Sequence, residues 1–461
     1  MSPSAPLAPR LRPEEPVRRP VLIISHDVVG PRLAGPGLRY FHLARVLAGD
    51  GPVVLAVPEA SPELETPPPF ALLRYGPGDD PRLAVAVREA RVVVVAAVGW
   101  AHVPALAEAG APLVVDCYDP IVAEVLHAQP SAARAQQAAL SRAYLAGDFF
   151  ICASERQRDW LLGLLEAHGR INAATYQADP SLRRLVDVVP FGLPETPPRR
   201  AAAVIRGVWD GIGPEDRVLL WGGGLWPWLD PLTAIRAVAQ LRATAPDVRL
   251  IFPGTRHPNP VMGAFPSYAP AARALAAELG LLDRHVFFGD WVPQAQWPGV
   301  LLESDLALTL HGSETLESRL AFRSRVLDYI WAGLPIVATR GDATSQLIES
   351  YRLGVVVEAG RPEAVAEAIA GLLAQPRGAL DANFAQARAA LTWELAAGPL
   401  RKFCAAPTPA ADHAGAGDRP GNPLYVDEIT RLRERVAVYE RLWSVRLGRW
   451  LHSRWSRRAG R

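Results

Sequence analysis

The sequence predicts an α/β protein of two parallel-sheet halves facing a cleft, followed by a basic amphipathic helix. Three observations carry this. Short apolar runs alternate with helix-period segments from Val21 to Ala153, and such runs mark strands buried on both faces. After the Pro-rich stretch "VVPFGLPETPPRR" the alternation restarts at Val218. Near the end, Ile429, Leu432, Val436, Tyr439 and Trp443 repeat at 3,4 spacing, an apolar helical stripe that must pack on something.

A length of 461 residues predicts roughly two to four domains. The 49% hydrophobic content supports large cores. Without an apolar run of ~18 residues, no membrane span is expected. Residues 1–20, "MSPSAPLAPRLRPEEPVRRP", lack the apolar core of a signal peptide and read as a disordered Pro-rich leader. Cys117, Cys152 and Cys404 lie far apart and read as thiols of a reducing cytosol rather than a disulfide framework. No Cys/His spacing indicates zinc. The single lysine is Lys402, so any anion site must use Arg, His or backbone amides.

Taking the chain in order, Val21–Ser25 reads as a buried strand. It opens into the glycine-rich turn of Gly30, Gly35 and Gly37, a helix ending "LARVLA", and a strand over Val53–Val57. Strand, glycine loop, helix and strand make the opening of a Rossmann-like half. Strands follow at Leu72–Tyr75, Arg91–Ala96, Pro112–Asp116 and Phe149–Ala153. Asp116 and Asp119 stand at a strand's C-terminal end, where α/β sheets bind ligands; as turn-forming acids before Pro120 they need no other role. Ser154 can cap a helix carrying Arg156 and Arg158 in its first turn. The domain boundary is expected near Pro194, giving a first domain over 21–194 and a second over 195–404.

The second half opens with the strand Val218–Trp221 and the loop "GGGLWPWLD". Gly222, Gly223 and Gly224 at a strand end let backbone approach a phosphate closely. Trp226 beside them either packs over the cleft edge or stacks on a ligand ring. Strands are expected at Val248–Pro253, Val286–Gly289, Asp305–Leu310, Ile336–Thr339 and Val355–Val357. The most informative stretch runs from Asp305 to Asp342: strand, polar loop over 311–317, helix, strand. Ser324 is placed to cap a helix from Arg325 that Gly333 and Pro335 stop. Free amides at that helix start, with Arg323 and Arg325 beside them, make a diphosphate seat. Asp328, one turn in, can accept hydrogen bonds from a diol. As an exposed first-turn acid it has a plain structural reading too.

These residues carry a resemblance. "VLDYIWAGLPIVAT" is similar to the donor-binding helix of the retaining GT-B glycosyltransferases of family 4, and "LARVLA" matches the end of that family's first helix. The resemblance covers about residues 21–405 and implies the GT-B fold: two Rossmann-like domains facing a cleft. It implies that Asp328 stands where the family's second glutamate holds the ribose. It also places the loop of Gly35 and Gly37 near sugar and phosphates, and Trp291 and Val292 of "FGDWVP" at the nucleobase through their backbone. Phe322, Arg323, Ser324 and Arg325 complete the donor side. The family's first glutamate falls on Leu320, so Glu314 or Glu317 replaces it from a longer loop. The family's Arg/Lys diphosphate clamp is absent, leaving amides with Arg323 or Arg325. Asp116 and Asp119 fall where the family places acids or histidines against the donor sugar, so Asp116, Asp119 and Glu317 are the catalytic candidates.

The activity implied is transfer from a nucleoside-diphosphate sugar to a hydroxyl on a polysaccharide or lipid-linked glycan, with retention and with no metal or other cofactor. Two readings compete: a nucleotide-sugar 2-epimerase on the same fold, and a GT-B partner or scaffold protein whose lost clamp impairs catalysis. A pyridoxal-phosphate phosphorylase is disfavoured, because Lys402 lies in a C-terminal helix. Residues 405–423 read as a flexible linker and 424–461 as the basic helix. Residues 431–461 hold ten Arg and two Glu, net +8, against +2 for the whole chain. Arginines with Trp450 and Trp455 suit the anionic inner face of a cell membrane; the stripe from Ile429 suits a helix-mediated dimer. Nucleic acid is not an expected partner.

Overall fold

The computed structural model describes residues 18–312 and 315–413. Most of the expected leader, Glu314, the later part of the expected linker and the whole basic helix lie outside the described residues. Among the described residues, no helix is long and apolar enough to cross a membrane.

The first half holds strands β1 (Val21–Ile24), β2 (Val53–Pro58), β3 (Ala71–Tyr75), β4 (Val92–Ala96), β5 (Leu113–Asp116), β6 (Phe149–Cys152) and β7 (Val186–Val188). They form one parallel sheet in the order β3-β2-β1-β4-β5-β6-β7. The second half holds β8 (Arg217–Leu220), β9 (Val248–Phe252), β10 (Val286–Phe288), β11 (Leu306–Thr309), β12 (Ile336–Thr339) and β13 (Gly354–Val357). Their order is β10-β9-β8-β11-β12-β13, again parallel. β1, β4, β5, β6, β11 and β12 are buried along their whole length. That burial is why they read as unbroken apolar runs: helices cover both faces of a parallel sheet.

In each half the first strand pairs with two neighbours, β1 with β2 and β4, β8 with β9 and β11. The crevice at such a switch point is where open α/β sheets bind ligands. The Gly222–Gly224 loop leaves β8, and the loop of His311 leaves β11, so both stand at the switch point of the second half.

The halves meet through polar ties across the cleft. Gln157 Nε2 donates to the Tyr118 and Leu320 carbonyls at 2.7 and 2.8 Å. Asn259 Nδ2 donates to Asp27 Oδ1 at 2.8 Å, and the Gln294 amide donates to the Pro31 carbonyl at 2.7 Å. Arg156 reaches the carbonyls of Arg319 and Gly341. The helix Gly398–Ala405 crosses back to the first half, where Arg401 pairs with Asp50 and Phe403 stacks on Phe149.

Two local structures differ from expectation. Ser324 takes helical φ/ψ and makes no capping bond. The expected polar loop over 311–317 gives way at its end to a short helix, Leu316–Leu320, because Thr315 and Ser318 form a reciprocal cap. Beyond Ala405 the chain stays docked on the first half as far as His413. Arg170, 1% exposed, holds Asp412 at 2.7 Å, and His413 lies 2.8 Å from Asp148. Composition alone could not show that this stretch has buried partners.

Candidate functional site

The donor side is built on β8, β11 and the helix Arg325–Ala332. Gly223 has φ +76, a left-handed turn that glycine adopts without strain. A Cβ at Gly222 would sit 3.0 Å from the Tyr329 hydroxyl, and one at Gly224 would sit 3.1 Å from the Trp226 indole. The loop is therefore glycine because side chains crowd it. The Gly222 amide is already taken, donating to Tyr329 Oη at 2.8 Å, and Tyr329 in turn donates to the Leu308 carbonyl. This bond pins the glycine loop to the donor helix.

Arg325 points into that loop. Its Nη2 donates to the Gly224 carbonyl at 3.3 Å, and its guanidinium lies 5.7 Å from the Trp221 ring centre. Burial lowers its pKa to about 10, so it remains a cation at neutral pH. Both Arg325 Nη1 and the Trp221 indole N–H are buried with no acceptor among the described residues. Gly35 faces this place from the first half: a Cβ there would sit 3.4 Å from Ser324 Oγ. Gly37 is needed for packing, since a Cβ would lie 2.5 Å from the Val28 carbonyl oxygen.

Asp328 is half-buried, and Trp297 Nε1 donates to its Oδ2 at 3.1 Å. Burial raises its carboxyl to about 7 against the opposing Trp297 bond and Arg325 charge. If it accepts from a ribose diol, the ionised form binds. Nucleotide affinity is then expected to rise from pH 6 to pH 8. Asp328→Asn is expected to bind roughly three- to tenfold more weakly, without that pH dependence and with an unchanged thermal melt. Calorimetric titration of both proteins checks this; native affinity in the variant contradicts it.

Other expected residues have different employment. Arg323 is not a free diphosphate cation: its two terminal nitrogens hold Glu317 at 2.6 and 2.9 Å, with both side chains buried. The Glu317 carboxylate thus already has its ion-pair partner. Asp116 is likewise bound on both oxygens by Arg39, at 2.6 and 3.0 Å, and the Arg39 guanidinium lies 5.0 and 5.1 Å from the ring centres of Tyr118 and Phe191. This pair braces the helix Gly35–Ala48 against β5, which leaves Asp116 no open face for substrate. Asp119 is the acid left on that strand end, its carboxyl raised to about 7 by burial and by the charges of Asp116 and Glu317. Trp291 ties the halves together. Its indole donates to the Leu33 carbonyl at 3.0 Å, and its own carbonyl accepts from Arg32 at 2.8 Å. Val292 packs half-buried against the core, Phe322 stacks on Phe191, and Trp226 stacks on Trp228. A cavity of about 310 Å³ opens beside Trp291, between Arg32 and Pro62 of the first half and His257 and Asp290 of the second.

Sequence reasoning passed over Trp297, Tyr329, Arg39, His311 and Glu124. Glu124, facing Asp119, Glu317 and Arg323, has its pKa raised well above the usual range, mainly by burial. Of these only Trp297, at the start of the helix that precedes β11, carried any signal, as an indole at a helix start.

The model of the family described as Glycosyl transferases group 1 matches residues 216–375, the second half from β8 to beyond β13. No curated protein matches the chain in sequence. Sucrose-phosphate synthase from Thermosynechococcus elongatus superposes with a TM-score of 0.61 at 17% identity, over 85% of this chain and 100% of that one. HepE from Anabaena, solved with UDP and glucose, gives 0.61 at 17% identity over 84% and 100%. WaaG, a glycosyltransferase involved in lipopolysaccharide biosynthesis, gives 0.55 at 20% identity over 86% and 100%. The fold is GT-B, two Rossmann-like domains, as the resemblance implied.

Proposed function

We propose that the protein is a glycosyltransferase that moves a hexosyl unit from a nucleoside-diphosphate sugar to a hydroxyl of a glycan or lipid-linked acceptor. The carrying observation is a pair of buried N–H donors with no partner among the described residues, Arg325 Nη1 and Trp221 Nε1, beside the Gly222–Gly224 loop at a switch point. Buried donors without acceptors are costly unless a ligand satisfies them, and donors on and beside a half-buried guanidinium select an anion. The matched family supports the same reading. HepE was solved in complex with UDP-glucose, which makes UDP-sugars the first donors to test.

In this reading the diphosphate sits on Arg325 and the glycine loop, and Asp328 with Trp297 holds the nucleoside. As the bond to the anomeric carbon breaks, charge grows on the leaving diphosphate; fixed donors there stabilise it more than the ground state. Attack from the face of the leaving group retains configuration, the leaving phosphate taking the acceptor's proton. The nucleotide sugar is a substrate, and the reading invokes no metal or other cofactor.

Arg323's engagement with Glu317 and the missing clamp favour one competing reading, a GT-B partner protein that binds nucleotide without turnover. Saturable one-site binding of UDP or GDP supports a nucleotide site in either case, and absence of both overturns the proposal. The basic stretch 431–461 is proposed to meet an anionic lipid surface at the inner face of the membrane. Full-length protein is expected to co-sediment with phosphatidylglycerol vesicles, less so at high salt, and not after truncation at Pro423. Equal sedimentation of both contradicts this, and dimer loss on truncation identifies a pairing helix instead.

A further inference from the structure

His311 leaves the C-terminal end of β11 and is 2% exposed. Its backbone is fixed by the His311 N–H, which donates to Thr339 Oγ1 at 3.2 Å, and by a bridge to Leu229. Its Nδ1 lies 3.0 Å from the Gly312 carbonyl. A carbonyl can only accept, so Nδ1 carries the proton and Nε2 presents a lone pair. That Nε2 has no partner among the described residues and lies 3.9 Å from Asp342 Oδ2. Two acceptors do not bond to each other. Burial and the Arg323 charge lower the ring's pKa, which keeps it neutral.

Asp342 is half committed. Its Oδ1 accepts from Thr344 Oγ1 and the Ser345 amide, while Oδ2 faces the cluster. Arg323 spends both terminal nitrogens on Glu317, but its Nε, 3.4 Å from Asp342 Oδ2, has no hydrogen-bond partner of normal geometry. What remains is two acceptors, His311 Nε2 and Asp342 Oδ2, and one donor, Arg323 Nε, in one buried place. An anion would meet two lone pairs there, and a cation would meet Arg323. Two neighbouring ring hydroxyls match it: each donates to one acceptor, and one accepts from Arg323. The position agrees. β11 and β12 lie on one side of β8, and β9 and β10 on the other. With the diphosphate on the β8 loop, a sugar extends over the ends of β11 and β12.

We infer that His311, Arg323 and Asp342 form a hydroxyl-recognition site that selects the sugar of the donor, taking over from the acid absent at Leu320. The inference rests on the nucleotide-sugar reading above. It is tested by calorimetric titration of wild-type, His311→Phe and His311→Asn proteins with UDP and with UDP-glucose, alongside thermal melts.

His311→Phe removes the acceptor and is expected to weaken UDP-glucose binding roughly three- to tenfold while leaving UDP binding unchanged. His311→Asn, which keeps an acceptor, is expected to recover part of the loss. If UDP and UDP-glucose weaken together, His311 is only structural; if neither moves, the three groups hold water alone; either result overturns the site. Wild-type protein is titrated with GDP as well: failure to bind UDP, UDP-glucose and GDP removes the nucleotide-sugar reading and this site with it, whereas intact nucleoside-diphosphate binding with an unmoved difference between the nucleotide and its sugar removes this site alone.

Discussion

Arg325→Ala is expected to weaken nucleoside-diphosphate binding by about 1.5–3 kcal/mol, roughly ten- to 150-fold in Kd, the range for a hydrogen bond to a charged group. The side chain is half-buried beside the glycine loop, and its buried Nη1 has no acceptor among the described residues, so part of the guanidinium is left for a ligand. Arg323 cannot compensate, since Glu317 already holds it. Arg325→Lys keeps the charge but loses the planar fork and should fall between the two. Calorimetric titration with UDP and GDP gives the number. A Kd within twofold of wild type would place the diphosphate elsewhere.

The second large effect is on stability. Arg39→Met strands the Asp116 carboxylate in the core without its partner, and breaking a buried pair in this way costs about 3–5 kcal/mol. Arg39 also donates to the Val189 and Pro190 carbonyls, so the loss extends to the segment leading out of β7. The urea midpoint should drop accordingly. The double variant Arg39→Met, Asp116→Leu should recover much of it, because removing both charges removes the unpaired one. A single variant within 1 kcal/mol of wild type contradicts a bracing role, and would reopen Asp116 as an acid that meets substrate.

Much of the fold was legible because its signals are local. A strand buried on both faces is an apolar run, and β12 was read to the residue. The glycine loop after β8 and the stop at Gly333, which has φ +75, follow from backbone geometry that few other residues tolerate. The use of the charged side chains was not legible. Arg39 and Asp116 are 77 residues apart, and Arg170 and Asp412 are 242 apart; periodicity shows which face a residue occupies, not whom it meets. Arg323 and Glu317 are only six apart, yet the break between the helices Leu316–Leu320 and Arg325–Ala332 brings them together. His311 was read only as the first residue of a polar loop; its tautomer, and a ring nitrogen without a partner among the described residues, exist only in three dimensions.

Turnover separates an enzyme from a nucleotide-binding partner protein. Full-length protein incubated with a panel of UDP- and GDP-sugars, with free nucleoside diphosphate as readout, tests this most directly. The account predicts release from at least one donor, in proportion to protein and, at sub-saturating donor, at least roughly tenfold slower in Arg325→Ala. Saturable nucleotide binding with no release from any donor in the panel would contradict it.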